Sequence, residues 1–332
     1  MSANIRDFGI TQAGERVEAI DLTGSGLRTT ILTLGATVQD LRLEGADWPL
    51  VLGADTPDAY QGPLLYAGAI VGPVANRIAG ASATIAGKRY EFEANEGGRT
   101  TLHSGATGLH ARLWQIESAT ANEATLCIDL ADGDGGFPGN RSVTACFRLI
   151  EPGDLVIELR ATTDAPSPIN LAHHGYWTLD GTPDTRRHRL RVAADHYLPV
   201  DAELIPTGEA RPVAGTEFDL RHGRLLTDAP PLDHNFCLAM SRRDLTEVAD
   251  LFGASGIRLR LATTEPGLHV YDGRHFTPGP GRRGLNPHAG IALEAQGWPD
   301  APNHPGFPTV TLAPGEIYRQ ITRFRIDRPD KP

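Results

Sequence analysis

Two side chains in this sequence combine the right types for proton transfer with settings that solubility does not explain. Glu294 interrupts the apolar run Ile291-Ala292-Leu293-Glu294-Ala295-Gln296. His174 closes the pair in Asn170-Leu171-Ala172-His173-His174-Gly175-Tyr176-Trp177. A carboxylate can take a proton and an imidazolium can give one near neutral pH, so together they could act as general base and general acid. Two more segments carry polar groups next to apolar ones, Ala75-Asn76-Arg77-Ile78 and Leu102-His103-Ser104-Gly105, and Asp233 lies in Pro231-Leu232-Asp233-His234-Asn235-Phe236. Each has a plainer reading: Arg77 as a surface charge, His103 as a hydrogen-bonded turn histidine, Glu294 as a solvated residue of an edge strand. Neighbouring strand residues face opposite ways. One member of His173-His174 is therefore structural, and the pair cannot jointly ligate one metal ion from a regular strand.

Elements of period two must position these groups. Ala124, Leu126, Ile128 and Leu130 alternate with Thr125, Cys127 and Asp129, and Val143, Ala145, Phe147 and Leu149 with Thr144, Cys146 and Arg148. Leu155, Ile157 and Leu159 follow the same rule. So do Ile257, Leu259 and Leu261 around Arg258 and Arg260, and Tyr318, Gln320, Thr322, Phe324 and Ile326 near the end. Such alternation marks half-buried strands. Turn signals at Gly24-Ser25-Gly26, Asp132-Gly133-Asp134-Gly135-Gly136 and Glu151-Pro152-Gly153-Asp154 separate them, and 37 glycines and 25 prolines suit many strands and many turns. Leu245, Val248, Leu251 and Phe252 fit a helical spacing over residues 243–252, the one helix the pattern predicts. Residues 277–290 (TPGPGRRGLNPHAG) predict a long Pro/Gly-rich loop, either functional or a tolerated surface insertion. The expected fold is mainly β, a large antiparallel sandwich or barrel.

Composition narrows the function. The chain of 332 residues has a net charge of −10, which argues against nucleic acid or an anionic membrane as partner, since both need a basic surface. No linker, charge run or repeat divides it, so residues 1–332 are read as one domain. The start lacks the apolar run of a signal peptide, and the longest apolar stretch, about residues 63–75, is too short and too broken to span a bilayer. Three separated cysteines, Cys127, Cys146 and Cys237, read as reduced thiols of a cytoplasmic protein.

The polar segments, taken in order, resemble one family. Val71-Gly72-Pro73-Val74-Ala75-Asn76-Arg77-Ile78 is similar to the GRVANRI segment of the aldose 1-epimerases, or galactose mutarotases. Leu102-His103-Ser104-Gly105 followed by Trp114 resembles their LHGG…W, and Gly136-Phe137-Pro138-Gly139-Asn140 matches GFPGN. Residues 170–179 resemble NLTNHxYFNL, residues 204–208 match LIPTG, and residues 215–221 resemble GTPFDFR. Leu293-Glu294-Ala295-Gln296, Pro299-Asp300-Ala301, Asn303, Phe307-Pro308 and Leu312-Ala313-Pro314-Gly315 look like the closing LExQ…PDAxN…FP…LxPG. The likeness spans nearly the whole chain.

The resemblance implies a two-sheet antiparallel β-supersandwich with an open cleft on one sheet, and a cofactor-independent epimerase acting on a monosaccharide. It implies Glu294 as general base and His174 as general acid. Asn76, Arg77, His103 and Asp233 are implied to bind the sugar. Proton removal from the anomeric hydroxyl and donation to the ring oxygen open the ring; rotation about C1–C2 and closure give the other anomer. No cofactor or metal is required, and the expected protein is a monomer or homodimer. Departures stand out: Pro73 replaces an Arg, Ser104 a Gly, and His173 an Asn. His269 stands where the galactose enzymes usually carry a sugar-binding Gln, which predicts a relaxed or different sugar preference. Three alternatives remain on the same scaffold. A binding protein without catalysis would need no acid–base pair. A hexose-6-phosphate epimerase would need cations such as Arg282 and Arg283 in the cleft. A glycosidase would need two carboxylates at a set separation, with Asp233 and Glu294 eligible by type.

Overall fold

The computed structural model describes residues 3–279, 281 and 284–328. Every laddered strand pair in it is antiparallel. An N-terminal meander of four strands runs from Asn4–Ile10 through Arg16–Gly24 and Leu27–Leu32 to Thr37–Leu43. A nine-stranded sheet is built around Arg141–Ile150, Asp154–Thr163, Tyr318–Asp327 and Arg258–Thr263. A six-stranded sheet has Tyr176–Trp177 at one edge, then Ile291–Gln296, Gly267–Tyr271 and Asp233–Cys237.

The alternation read from the sequence is what joins these sheets. Tyr318–Asp327 buries every second residue, and Phe147, Leu155, Ile157, Leu259 and Phe324 of the large sheet share one core with Trp177, Phe236, Leu268, Val270, Ile291 and Leu293 of the smaller one. Full burial of such side chains contributes roughly 1.5–3 kcal/mol each. The remaining face of the six-stranded sheet is left to carry the polar groups. The architecture is the antiparallel β-supersandwich, as expected.

One element differs. Residues 246–252 form a strand, Thr246–Phe252, not a helix. Its pairing register to Arg258–Thr263 slips between Glu247 and Ala249. The slip leaves Val248, Ala249, Asp250 and Leu251 all buried in succession, and a strand buried on consecutive positions loses its period of two. The remaining apolar spacing imitates a helical one. The long loop is described only in part, and Arg282 and Arg283 lie outside the described residues. Its Leu285 and Ala289 are buried in a cluster with Tyr176 and Leu52, so those described residues are packed into the molecule. Among the described residues no helix is long and apolar enough to cross a membrane, and all three cysteines are free thiols.

Candidate active site

A cleft of about 530 Å³ opens on the polar face of the six-stranded sheet. Its floor is three strands in register, with Asp233 opposite Tyr271 and His269 opposite Glu294. Alternation sends Leu268, Val270 and Leu293 into the core, and the same rule turns His269, Tyr271 and Glu294 toward the cleft. A carboxylate inside an apolar run is therefore the cleft-facing member of a strand whose neighbours are core.

The histidine pair divides between the two faces. The ring of His173 packs edge-on against Phe324 at 5.7 Å and Trp177 at 6.3 Å, and among the described residues neither of its nitrogens finds a protein partner. Burial drives its pKa down to about 3, so it sits in the core as a neutral aromatic. A Cβ at Gly175 would run into that ring, so the backbone can pass over His173 only as glycine. His174 faces the other way. Its Nε2 lies 3.5 Å from Glu294 Oε1, and both side chains are almost wholly buried. His174 Nδ1 and Glu294 Oε2 have no protein partner among the described residues.

The wall beside this pair is made by Asn76 and His103, which hold each other. The Asn76 N–H donates to His103 Nδ1 at 3.1 Å, and the His103 N–H donates to the Asn76 carbonyl at 3.0 Å. Asn76, His103 and Ser104 all have left-handed backbone, with φ of 63°, 51° and 66°. Non-glycine residues there cost on the order of 1–3 kcal/mol each, a strain that surrounding contacts must offset. Ser104 supplies some of them: its hydroxyl accepts from the Val74 N–H at 2.8 Å and donates to the Val74 carbonyl at 3.1 Å. The Asn76 side-chain oxygen accepts the Arg77 N–H, which leaves its NH2 end for a ligand.

Electrostatics fixes the state of several groups. Burial, reinforced by the neighbouring His174, holds His103 well below the ordinary imidazole range, so it is neutral at pH 7. Because its Nδ1 accepts a hydrogen bond, its proton sits on Nε2 and that nitrogen is a donor. Asp233 is pushed up by burial, but the His269 hydrogen bond and the charges of His269 and Arg77 outweigh this and keep it ionised. His269 Nε2 therefore donates to Asp233 Oδ1 across 2.8 Å. Arg77 gives its Nε and one Nη to Glu96 at 2.7 and 2.9 Å, while its other Nη lies 3.9 Å from Asp233 Oδ2. Tyr66 packs its ring against His103, His110 and His174.

Donor atoms of His103, His174 and Glu294 all lie within 4.8 Å of one another, a set that could hold a transition metal by type. The tautomer opposes it. A metal on His103 Nε2 would force the ring proton onto Nδ1, against the Asn76 N–H. The geometry suits proton exchange with a small polyhydroxylated ligand better than ligation.

A model of the family described as aldose 1-epimerase matches residues 18–325. The chain belongs to the aldose 1-epimerase family. It is 38% identical to a galactose mutarotase from Mus musculus over 96% of each chain, and 35% identical to an aldose 1-epimerase from Escherichia coli K12 over 91% of this chain and 92% of that one. A crystal structure of an aldose epimerase homologue from C. elegans superposes with a TM-score of 0.88 at 29% identity, covering 94% of this chain and 99% of that one. As an aldose 1-epimerase family member the chain is an isomerase by kinship. All seven residues singled out in the sequence, Asn76, Arg77, His103, His174, Asp233, His269 and Glu294, line the one cleft. Glu96, Tyr66, Tyr176 and Phe276 line it as well and were not singled out. Glu96 lies in a glycine-flanked turn that reads as ordinary surface, so spacing gave no signal for it. Tyr176 does follow His174 by two, and strand alternation alone would have placed it on the same face.

Proposed function

We propose that the chain interconverts the α and β anomers of a free aldose, with Glu294 as general base and His174 as general acid. The observation that carries this reading is their separation of 3.5 Å. The hydroxyl that must lose a proton and the ring oxygen that must gain one are bonded to the same carbon. Base and acid for this reaction therefore have to be close neighbours, and apo contacts of this length tighten around substrate. A glycosidase, by contrast, works with two carboxyl groups about 5 Å or more apart, whereas here Glu294 is paired with an imidazole.

In this reading an ionised Glu294 takes the anomeric proton while a protonated His174 delivers one to the ring oxygen. The ring opens to the aldehyde, C1–C2 rotates, and the two groups, with roles exchanged, close it on the other face. Neutral His103 donates through Nε2, Arg77 donates through the Nη not taken by Glu96, and Asp233 accepts, which orients the sugar and steadies charge on its ring oxygen. No hydride or phosphoryl group moves, so the residues suffice without a cofactor. The family match over residues 18–325 and a core shared by the three largest sheets support reading residues 1–332 as one domain. Free thiols fit a reducing cytoplasm.

The test is optical rotation of freshly dissolved α-D-glucose, α-D-galactose, L-arabinose and D-xylose. Wild-type protein is expected to speed relaxation to the uncatalysed end point. Glu294→Gln and His174→Asn are each expected to lose about 10²–10⁴-fold in turnover with unchanged circular dichroism. A folded variant of near-full activity would reject that residue's role.

A further inference from the structure

Arg77 is buried among carboxylates, and a guanidinium in that position has a choice of partners. Its Nε/Nη edge is engaged fork-to-fork by Glu96, at 2.7 and 2.9 Å. Its remaining Nη stops 3.9 Å short of Asp233 Oδ2, beyond hydrogen-bond length. Released, Arg77 would close that gap onto Asp233, since a bidentate contact between guanidinium and carboxylate is the strong arrangement for both. That contact would consume two sugar-binding groups at once. The bond to Glu96 prevents it.

We propose that Glu96 is a positioning residue for substrate binding: by holding one edge of Arg77 it keeps the opposite Nη turned to the cleft and Asp233 open to accept a sugar hydroxyl. The inference rests on the mutarotase reading of the cleft. The turn that carries Glu96 is itself anchored to the site. Glu96 and Thr100 exchange backbone hydrogen bonds at 3.0 and 3.1 Å. The side chain of Asn95 clasps the N–H and carbonyl of Leu102, at 2.7 and 3.0 Å, and Leu102 precedes His103 and pairs with Arg77. One turn thus fixes the arginine by its charge and the histidine strand by its backbone. Glu96 lines the same cleft and is more than one-third exposed, whereas Arg77 is almost wholly buried, so the carboxylate holds the cation from the cleft's open side.

A residue acting through ground-state orientation changes KM more than kcat. Glu96→Gln is expected to raise KM for the best aldose about tenfold and leave kcat within about threefold, because His174 and Glu294 are untouched. In an Arg77→Gln background the same change is expected to have no further effect on kcat/KM, since Glu96 acts only through Arg77. A wild-type KM in Glu96→Gln would overturn the proposal, and so would an undiminished penalty in the Arg77→Gln background. If Glu96→Gln does not fold, Arg77→Gln and its double variant, in which the buried cation is gone, decide the same question by whether their kcat/KM values agree. A wild-type protein that accelerates no aldose would sink the mutarotase reading instead.

Discussion

His269 and Asp233 form a hydrogen-bonded unit on the cleft floor, and in the proposed reading it is the part that meets the sugar's hydroxyl pattern. The imidazole engages Asp233 Oδ1 through Nε2, at 2.8 Å, and offers beyond that only its ring Nδ1, where an amide would carry both an NH2 group and an oxygen. His269→Gln is expected to change the ratio of kcat/KM for galactose over glucose by about fivefold or more, in favour of galactose, because one hydrogen bond to a substrate hydroxyl is worth on the order of 1 kcal/mol. Initial rates of mutarotation with the two sugars check this, and an unchanged ratio would remove His269 from selectivity. At this scale the sequence was informative wherever a polar residue broke an apolar pattern. Glu294 and the histidine pair stood out for that reason, and the resemblance then selected His174 over His173. Glu96 had no such contrast. Its importance comes from a partner nineteen positions away, and only the folded chain brings the two together.

The short strand Ala172–His173 and the step that follows it put one imidazole in the core, and this couples the element to pH. His173 and His110 are held neutral by burial, with pKa values of about 3 and about 4 against an unfolded value near 6.5. Below pH 6.5 the unfolded chain binds protons that the folded chain refuses. Stability is therefore fully present above that pH and falls as pH drops through 6.5 toward 4. Each group adds a slope of up to about 1.4 kcal/mol per pH unit in that window. His173→Asn is expected to flatten the acid limb by about one such increment, as read from urea midpoints at pH 5, 6 and 7. An unchanged slope would mean that His173 takes up its proton without unfolding. Strands were legible to the extent that they buried one face only. Tyr318–Asp327 shows the full alternation, whereas Thr246–Phe252, with its slipped register, does not. A bulge is set by the pairing partner, which no local spacing records.

Over the whole molecule the balance of charge favours a neutral ligand. The chain carries −10 in total, and Arg77, with one edge held by Glu96, is the sole lysine or arginine lining the cleft among the described residues. Among the described residues a sugar phosphate would meet the carboxylates of Glu294, Asp233 and Glu96 with Arg77 as the one permanent cation. Glucose 6-phosphate is therefore expected to react at least ~10²-fold less efficiently than glucose. Glucose itself should show a kcat/KM indifferent to salt between low and physiological ionic strength. Comparable rates on the two substrates, followed by polarimetry, would contradict the assignment of a free aldose.

The close fit between the His173 ring and the backbone at Gly175 couples what these two positions can tolerate. With the His173 ring where it lies, position 175 has room for glycine alone, and any side chain there requires the ring to move or to be replaced. A single substitution at 175 is therefore expected to cost more than the same substitution made together with a smaller residue at 173.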